Sequence, residues 1–150
     1  MKLGRNFYNT MANKIDFSIQ EKVELIINLY TGPNGYLVET IDEFPEGRKF
    51  LEAGFMYLDT ENNIYYANEK GNDYLHIAIK TISESVVDLF KKNGWTLTQN
   101  DLLLWLSETL KLEDDFTIDR IYHYIFDNLP TYGYRTYFSR IRDKYVLEKI

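Results

Sequence analysis

Phe50-Leu51-Glu52-Ala53-Gly54-Phe55-Met56-Tyr57-Leu58-Asp59-Thr60-Glu61-Asn62-Asn63-Ile64-Tyr65-Tyr66-Ala67-Asn68-Glu69-Lys70-Gly71-Asn72-Asp73-Tyr74-Leu75 is the stretch on which the fold turns. Leu51, Gly54, Phe55 and Tyr57 lead into a polar run from Asp59 to Asn63, and Ile64, Tyr65 and Tyr66 lead out of it. Aromatic and β-branched runs flanking a short Asn/Asp-rich loop predict a β-hairpin, with strands at about 55–58 and 64–67. The loop contains neither Asn-Gly nor Asp-Gly, so a four- or five-residue connection is expected instead of a tight two-residue turn. Glu69-Lys70-Gly71 then opens a new helix.

A helix end, a hairpin and a fresh helix in this order resemble the wing of winged-helix proteins of the bacterial and phage regulator type. In that family a recognition helix ends in Leu-x-x-x-Gly-Phe/Tyr-Ile, and the hairpin runs on into Tyr-x-x-Thr-x-Lys-Gly-x-x-Tyr-Leu. The matching residues here are Leu51, Gly54, Phe55, Tyr65, Asn68, Lys70, Gly71, Tyr74 and Leu75, with Leu51 one position nearer to Gly54 than the family spacing and Asn68 where the family usually has Thr. The match is confined to residues 50–75. It describes a local shape and specifies no chemistry. By themselves Tyr36-Leu37-Val38-Glu39-Thr40-Ile41 suit a strand or a short helix; the resemblance implies a winged helix-turn-helix, a second helix at about 36 to 43 and a recognition helix from Glu46 to Ala53. It also implies a DNA-binding transcriptional regulator, in which Arg48 and Lys49 meet phosphates and Asn62 and Asn63 meet the minor groove or backbone. Lys70 is a further cation on that side. Glu43, Glu46 and Glu52 oppose DNA approach by this helix, because a polyanion is repelled by acids placed among the contacting cations.

The whole chain has 150 residues, 45% apolar and 27% charged, which suits one globular domain or two small ones. It carries 13 Tyr, 9 Phe and 2 Trp, enough ring area to stabilise a core and leave some for an interface. Cysteine is absent, which excludes disulfides, thiolate catalysis and cysteine-ligated zinc. No run of 18 apolar residues occurs, and a cytoplasmic location is the expectation. The net charge of −6 argues mildly against general coating of nucleic acid. Residues 134–150 are the exception, with five basic and two acidic side chains.

Along the chain, residues 1–16 show no period and read as an N-terminal arm, followed by a winged-helix domain over 17–72. Ser18 with Glu21 forms a capping box for a core helix that carries Ile19, Val23, Ile26, Ile27 and Tyr30, stopped by Thr31-Gly32-Pro33. A long connecting or dimerisation helix spans 73–94. Its Leu75, Ile79, Ile82, Val86 and Leu89 alternate spacings of four and three, a coiled-coil-like seam for a homodimer or for the second half of the same chain. Residues 95–150 form a C-terminal helical subdomain. There Trp95-Thr96-Leu97 is a connector, Thr98 with Asp101 caps one helix and Thr117 caps another. A last helix is expected from Tyr134 to Asp143, its apolar stripe formed by Tyr134, Tyr137, Phe138, Ile141 and Tyr145, followed by a terminal strand at Tyr145-Val146-Leu147. On it Arg135 and Arg142 share one face, and Arg140 and Lys144 a face close by. The fold class is therefore mainly α with a small β-hairpin (α+β), and the C-terminal part is a helical subdomain or a second, degenerate winged helix.

Enzymatic readings find little support in the residues. His76 and His123 stand in no metal-spaced pattern, and Glu113-Asp114-Asp115 lacks calcium-loop spacing. Neither a phosphate-cradling glycine loop nor a nucleophile elbow occurs. No catalytic residue, metal or cofactor is expected. Two classes remain: a protein that binds double-stranded DNA through Arg48, Lys49, Asn62, Asn63, Lys70, Arg135, Arg140, Arg142 and Lys144, or an adaptor, immunity or mobile-element factor that uses the same body to bind another protein.

Overall fold

The computed structural model describes residues 17–30 and 34–150; the arm at 1–16 and the stop at Thr31-Gly32-Pro33 lie outside them. The chain is α+β, with two antiparallel three-stranded sheets ordered β1-β3-β2 and β4-β6-β5. It divides into two compact units, one ending at Ile77 and the other beginning at Ala78.

In the first unit α1 spans Ile19–Leu25. The Ser18 hydroxyl accepts from the Glu21 N–H at 3.1 Å while the Glu21 carboxylate accepts from the Ser18 N–H at 3.0 Å, the reciprocal cap expected from the sequence. The helix continues as a π turn, Ile26–Tyr30, and together they bury Val23, Leu25, Ile26, Ile27 and Leu29. The helix expected near 36 to 43 is absent. In its place stand the two-residue strand β1, Tyr36–Leu37, and one 3-10 turn, Ile41–Glu43. Val38, Thr40 and Ile41 lose side-chain freedom in a helix, and Pro45 forces Phe44 into extended backbone.

Helix α2, Pro45–Glu52, starts with proline at its first turn, where no N–H is missed. Gly54 at φ +80° ends it and feeds β2, Met56–Asp59, which pairs antiparallel with β3, Ile64–Ala67. The register closes at Asp59↔Ile64 around a four-residue loop, as the loop composition predicted. Phe17, Phe50, Phe55 and Tyr74 form a ring cluster, with Phe50–Phe55 centroids 5.0 Å apart and Phe55 stacked on Tyr74 at 5.5 Å. Desolvation in this cluster pushes the Tyr74 hydroxyl up to about 12.

Helix α3, Glu69–Lys92, explains the signature at its own start. Asn68 accepts from the Gly71 N–H through Oδ1 at 2.9 Å and donates Nδ2 to the Gly54 carbonyl at 2.9 Å. The amide thus caps the helix and ties it to the turn before the hairpin, two tasks that a threonine hydroxyl of this reach does not combine. Gly71 must be glycine because a Cβ there would fall on the Phe55 carbonyl oxygen. Further along, Leu75, Ile79, Ile82 and Val86 are buried within the chain and Leu89 is half-buried. Of the two readings of the seam, burial of these residues within the chain agrees with the intramolecular one.

In the second unit β4, Thr96–Leu97, is a strand in the stretch expected to be a connector, and it pairs with β6 through Thr96↔Val146 and Leu97↔Tyr145. Helix α4 is Gln99–Leu110, capped by Thr98 as expected. Helix α5 is Asp115–Asn128, and its cap is Asp114, whose carboxylate accepts from both the N–H and the hydroxyl of Thr117. Thr117 is therefore inside the helix and Asp114 takes its expected place.

The expected basic helix at 134–143 is a β-hairpin instead: β5, Tyr134–Ser139, and β6, Lys144–Lys149, pair from Tyr134↔Lys149 to Ser139↔Lys144. The apolar residues there recur at a helical period, yet pairing across the hairpin and rings from α5 select strands. Val146 and Leu147 are buried and pair with Tyr137 and Thr136, and Tyr122, Phe126, Phe138 and Tyr145 pack as rings at 4.4 to 5.9 Å.

The two units share one backbone plan. Each runs helix, two-residue strand, helix, hairpin, and each sheet has its first strand on the outer side of its third. A left-handed glycine precedes each short strand, Gly35 and Gly94, and each hairpin, Gly54 and Gly133. Each hairpin closes on four loop residues, the last left-handed: Asn63 at φ 54° and Asp143 at φ 52°. They differ in the middle, where a full helix α4 replaces the single 3-10 turn of the first unit.

Candidate nucleic-acid interface

The cations of α2 are already engaged. Arg48 reaches Asp42 at 3.2 Å and Glu52 at 3.1 Å, and Lys49 reaches Glu21 at 2.9 Å. Burial pushes the Glu21 carboxyl up, but hydrogen bonds from Ser18 and Lys49 outweigh it and hold it below its ordinary value. A phosphate would have to compete with carboxylates for both side chains. Glu46, on the same helix, is buried, and burial pushes its carboxyl above the ordinary value, with Glu24 and Glu21 adding to the effect. This helix offers a polyanion no net positive face.

The first hairpin tip is exposed, but several of its polar groups bond within the chain. Asp59 accepts from the Glu61 N–H at 3.0 Å and from the Asn62 side chain at 2.9 Å, and the Asn63 carbonyl accepts from Val38 at 3.0 Å. Asn62 and Asn63 thus complete a turn that carries two acids, Asp59 and Glu61. Lys70 is exposed in the first turn of α3 beside Glu69.

The second hairpin carries cations at its tip. Because it is a hairpin, Arg135 and Arg142 do not share a helical face, and neither do Arg140 and Lys144. Arg135 lies toward the open end of β5, paired with Glu148 at 2.9 Å. Tyr137 donates to the other Glu148 oxygen at 3.1 Å. The hydrogen bonds from Arg135 and Tyr137 hold the Glu148 carboxyl below its ordinary value, and the same bond raises the Tyr137 hydroxyl. At the tip, Arg140 and Arg142 occupy the loop and Lys144 opens β6, all exposed. Among the described residues none of these three makes an ion pair.

Ile141, between the two arginines, is 99% exposed, which corrects its expected place in an apolar stripe against the body. An isoleucine set between two arginines in a turn was the signal available in the sequence, and the helical reading hid it.

Other chemistry is sparse. His76 Nδ1 lies 3.0 Å from the Tyr30 hydroxyl and His123 Nε2 lies 3.3 Å from Asp119. Among the described residues no three His, Asp or Glu side chains gather as a metal site, and no helix is long and apolar enough to cross a membrane. A cleft of about 510 Å³ along α3 is walled by Lys80, Glu84, Asp88 and Lys91, whose opposite charges cancel, and by Tyr132 and Tyr134. Against known proteins, the chain matches no family model, no curated protein and no solved structure.

Proposed function

We propose that the chain is a non-catalytic, DNA-binding protein of transcription-regulator type, built of two winged helices, that contacts the duplex through its second hairpin. The winged-helix reading rests on the helix–strand–helix–hairpin order and the first–third–second sheet order in both units. The observation that carries the DNA reading is the tip itself: Arg140, Arg142 and Lys144 are exposed, close together and without acidic partners. Cations held this way release condensed counterions on meeting phosphates, and affinity then falls by about 0.9 log units per contact for each tenfold rise in salt.

A salt titration of binding to random duplex DNA tests this. The expected slope of log affinity against log salt is about −3 for three contacts. Replacing Arg140 and Arg142 by Ala lowers its magnitude by roughly two, while Arg48→Ala and Lys49→Ala leave it unchanged. Absent or salt-insensitive binding at low salt refutes the reading. A second reading, docking of a protein partner, is favoured by one observation: α2 presents Arg48 and Lys49 already neutralised, as a protein surface tolerates and a DNA-reading helix does not.

A further inference from the structure

Single exposed apolar residues are ordinary on protein surfaces and need no explanation. Ile141 differs in three respects. It sits at the second position of a four-residue hairpin loop and is 99% exposed, so neither strand nor core shelters it. A β-branched side chain gives a turn no conformational advantage, so folding gains nothing from it there. At the matched loop position of the first hairpin stands Glu61, whose N–H is held by Asp59. One backbone device therefore carries an acid in one unit and an isoleucine flanked by two unpaired arginines in the other. A residue that breaks a local rule without structural compensation marks a functional position.

We propose, resting on the DNA reading above, that Ile141 is an apolar wedge that enters the minor groove and inserts between adjacent base pairs, kinking the duplex. The groove is about 6 Å wide, which admits a hairpin apex and excludes a helix. Isoleucine is among the side chains that unstack base steps in this way, and arginines on either side supply attraction along the groove walls. Partial unstacking is least costly at pyrimidine–purine steps, so the tip prefers a TpA-containing duplex over a stiff A-tract. A bilayer is the less suitable target, because one aliphatic side chain buries too little area to anchor a chain of net charge −6 to an anionic surface.

The test uses the full chain and a short duplex with 2-aminopurine at a central TpA step and a donor–acceptor dye pair at its ends. Wild type is expected to bind with a rise in 2-aminopurine fluorescence and increased energy transfer. Ile141→Ala is expected to keep the salt slope, lose both optical changes and bind about tenfold more weakly. Arg140→Ala with Arg142→Ala is expected to reduce the slope. Unaltered optical changes in Ile141→Ala, or a wild type that binds without them, overturn the wedge while leaving the DNA reading in place. No binding by wild type, or a slope untouched by the double arginine variant, overturns both. Binding to phosphatidylserine vesicles that depends on Ile141, without duplex binding, assigns the tip to membranes and overturns the proposal.

Discussion

Gly71→Ala puts two opposed effects on one atom. In a helix, replacing glycine by alanine ordinarily stabilises by about 1 kcal/mol, because glycine loses more backbone freedom on folding. At Gly71 the added Cβ would fall on the Phe55 carbonyl oxygen and lie 3.1 Å from Cε2 of Phe50, a ring with no exposed surface. That carbonyl already accepts the Asn68 N–H at 2.9 Å, and Asn68 in turn caps α3 through the Gly71 N–H. Relief of the clash must shift backbone, at roughly 1–3 kcal/mol for overpacking. It also weakens a hydrogen bond and a cap, each typically about 1 kcal/mol. The net expectation is a loss of about 3 kcal/mol, or roughly 6–12 °C in Tm for a chain of this length. Gly47→Ala is the comparison, since its Cβ would lie 3.0 Å from two ring carbons of Tyr36, a side chain that can yield by a few tenths of an ångström. Thermal unfolding followed by circular dichroism should place Gly47→Ala at or above wild type and Gly71→Ala well below both. A Gly71→Ala protein as stable as wild type would refute the close approach of α3 to the Phe55 backbone.

Glu46 gives a pH dependence. Burial raises its folded-state carboxyl above the unfolded value, so the stability present below about pH 4.3 is lost as pH rises through the folded value. Glu46→Gln should therefore match wild type near pH 4 and exceed it in Tm near pH 8, roughly the pH range over which such a group ionises; equal melting at both would refute the buried acid. Ile82→Glu should unfold the protein, as a charge buried without a partner costs several kcal/mol; a folded monomer in size-exclusion chromatography and circular dichroism would refute the intramolecular seam.

The first hairpin was legible because its information is local: aromatic and β-branched runs, a polar loop and the Gly71 approach all lie within residues 50–75. The caps at Ser18 and Thr98 were legible for the same reason. Of the second hairpin only the terminal strand at Tyr145-Val146-Leu147 was legible, since Tyr134, Tyr137, Phe138 and Ile141 recur at a helical period and the pairing of β5 with β6 shows only in the fold. The missing helix at 36–43 has a local cause in Pro45 and the β-branched residues, which the family pattern overrode. Of the site, the neutralising Arg48–Glu52 pair could be seen at its i,i+4 spacing, whereas Lys49–Glu21 spans 28 positions and needed the fold.

The shared backbone plan separates fold from function within one chain. Loop length, left-handed position and sheet order agree between the hairpins, so those features cannot be what a partner distinguishes. What differs is the side chains they carry: Asp59 and Glu61 at one tip, Arg140, Ile141, Arg142 and Lys144, with one acid Asp143, at the other. On the proposed DNA reading, a phosphate backbone is repelled by the first and attracted by the second, a preference that needs no steric device. This division also bounds the measurement. One hairpin with three free cations cannot produce a salt slope much beyond about −3. A slope near −6 would require cations from elsewhere in the chain, and contact through the second hairpin alone would then be untenable.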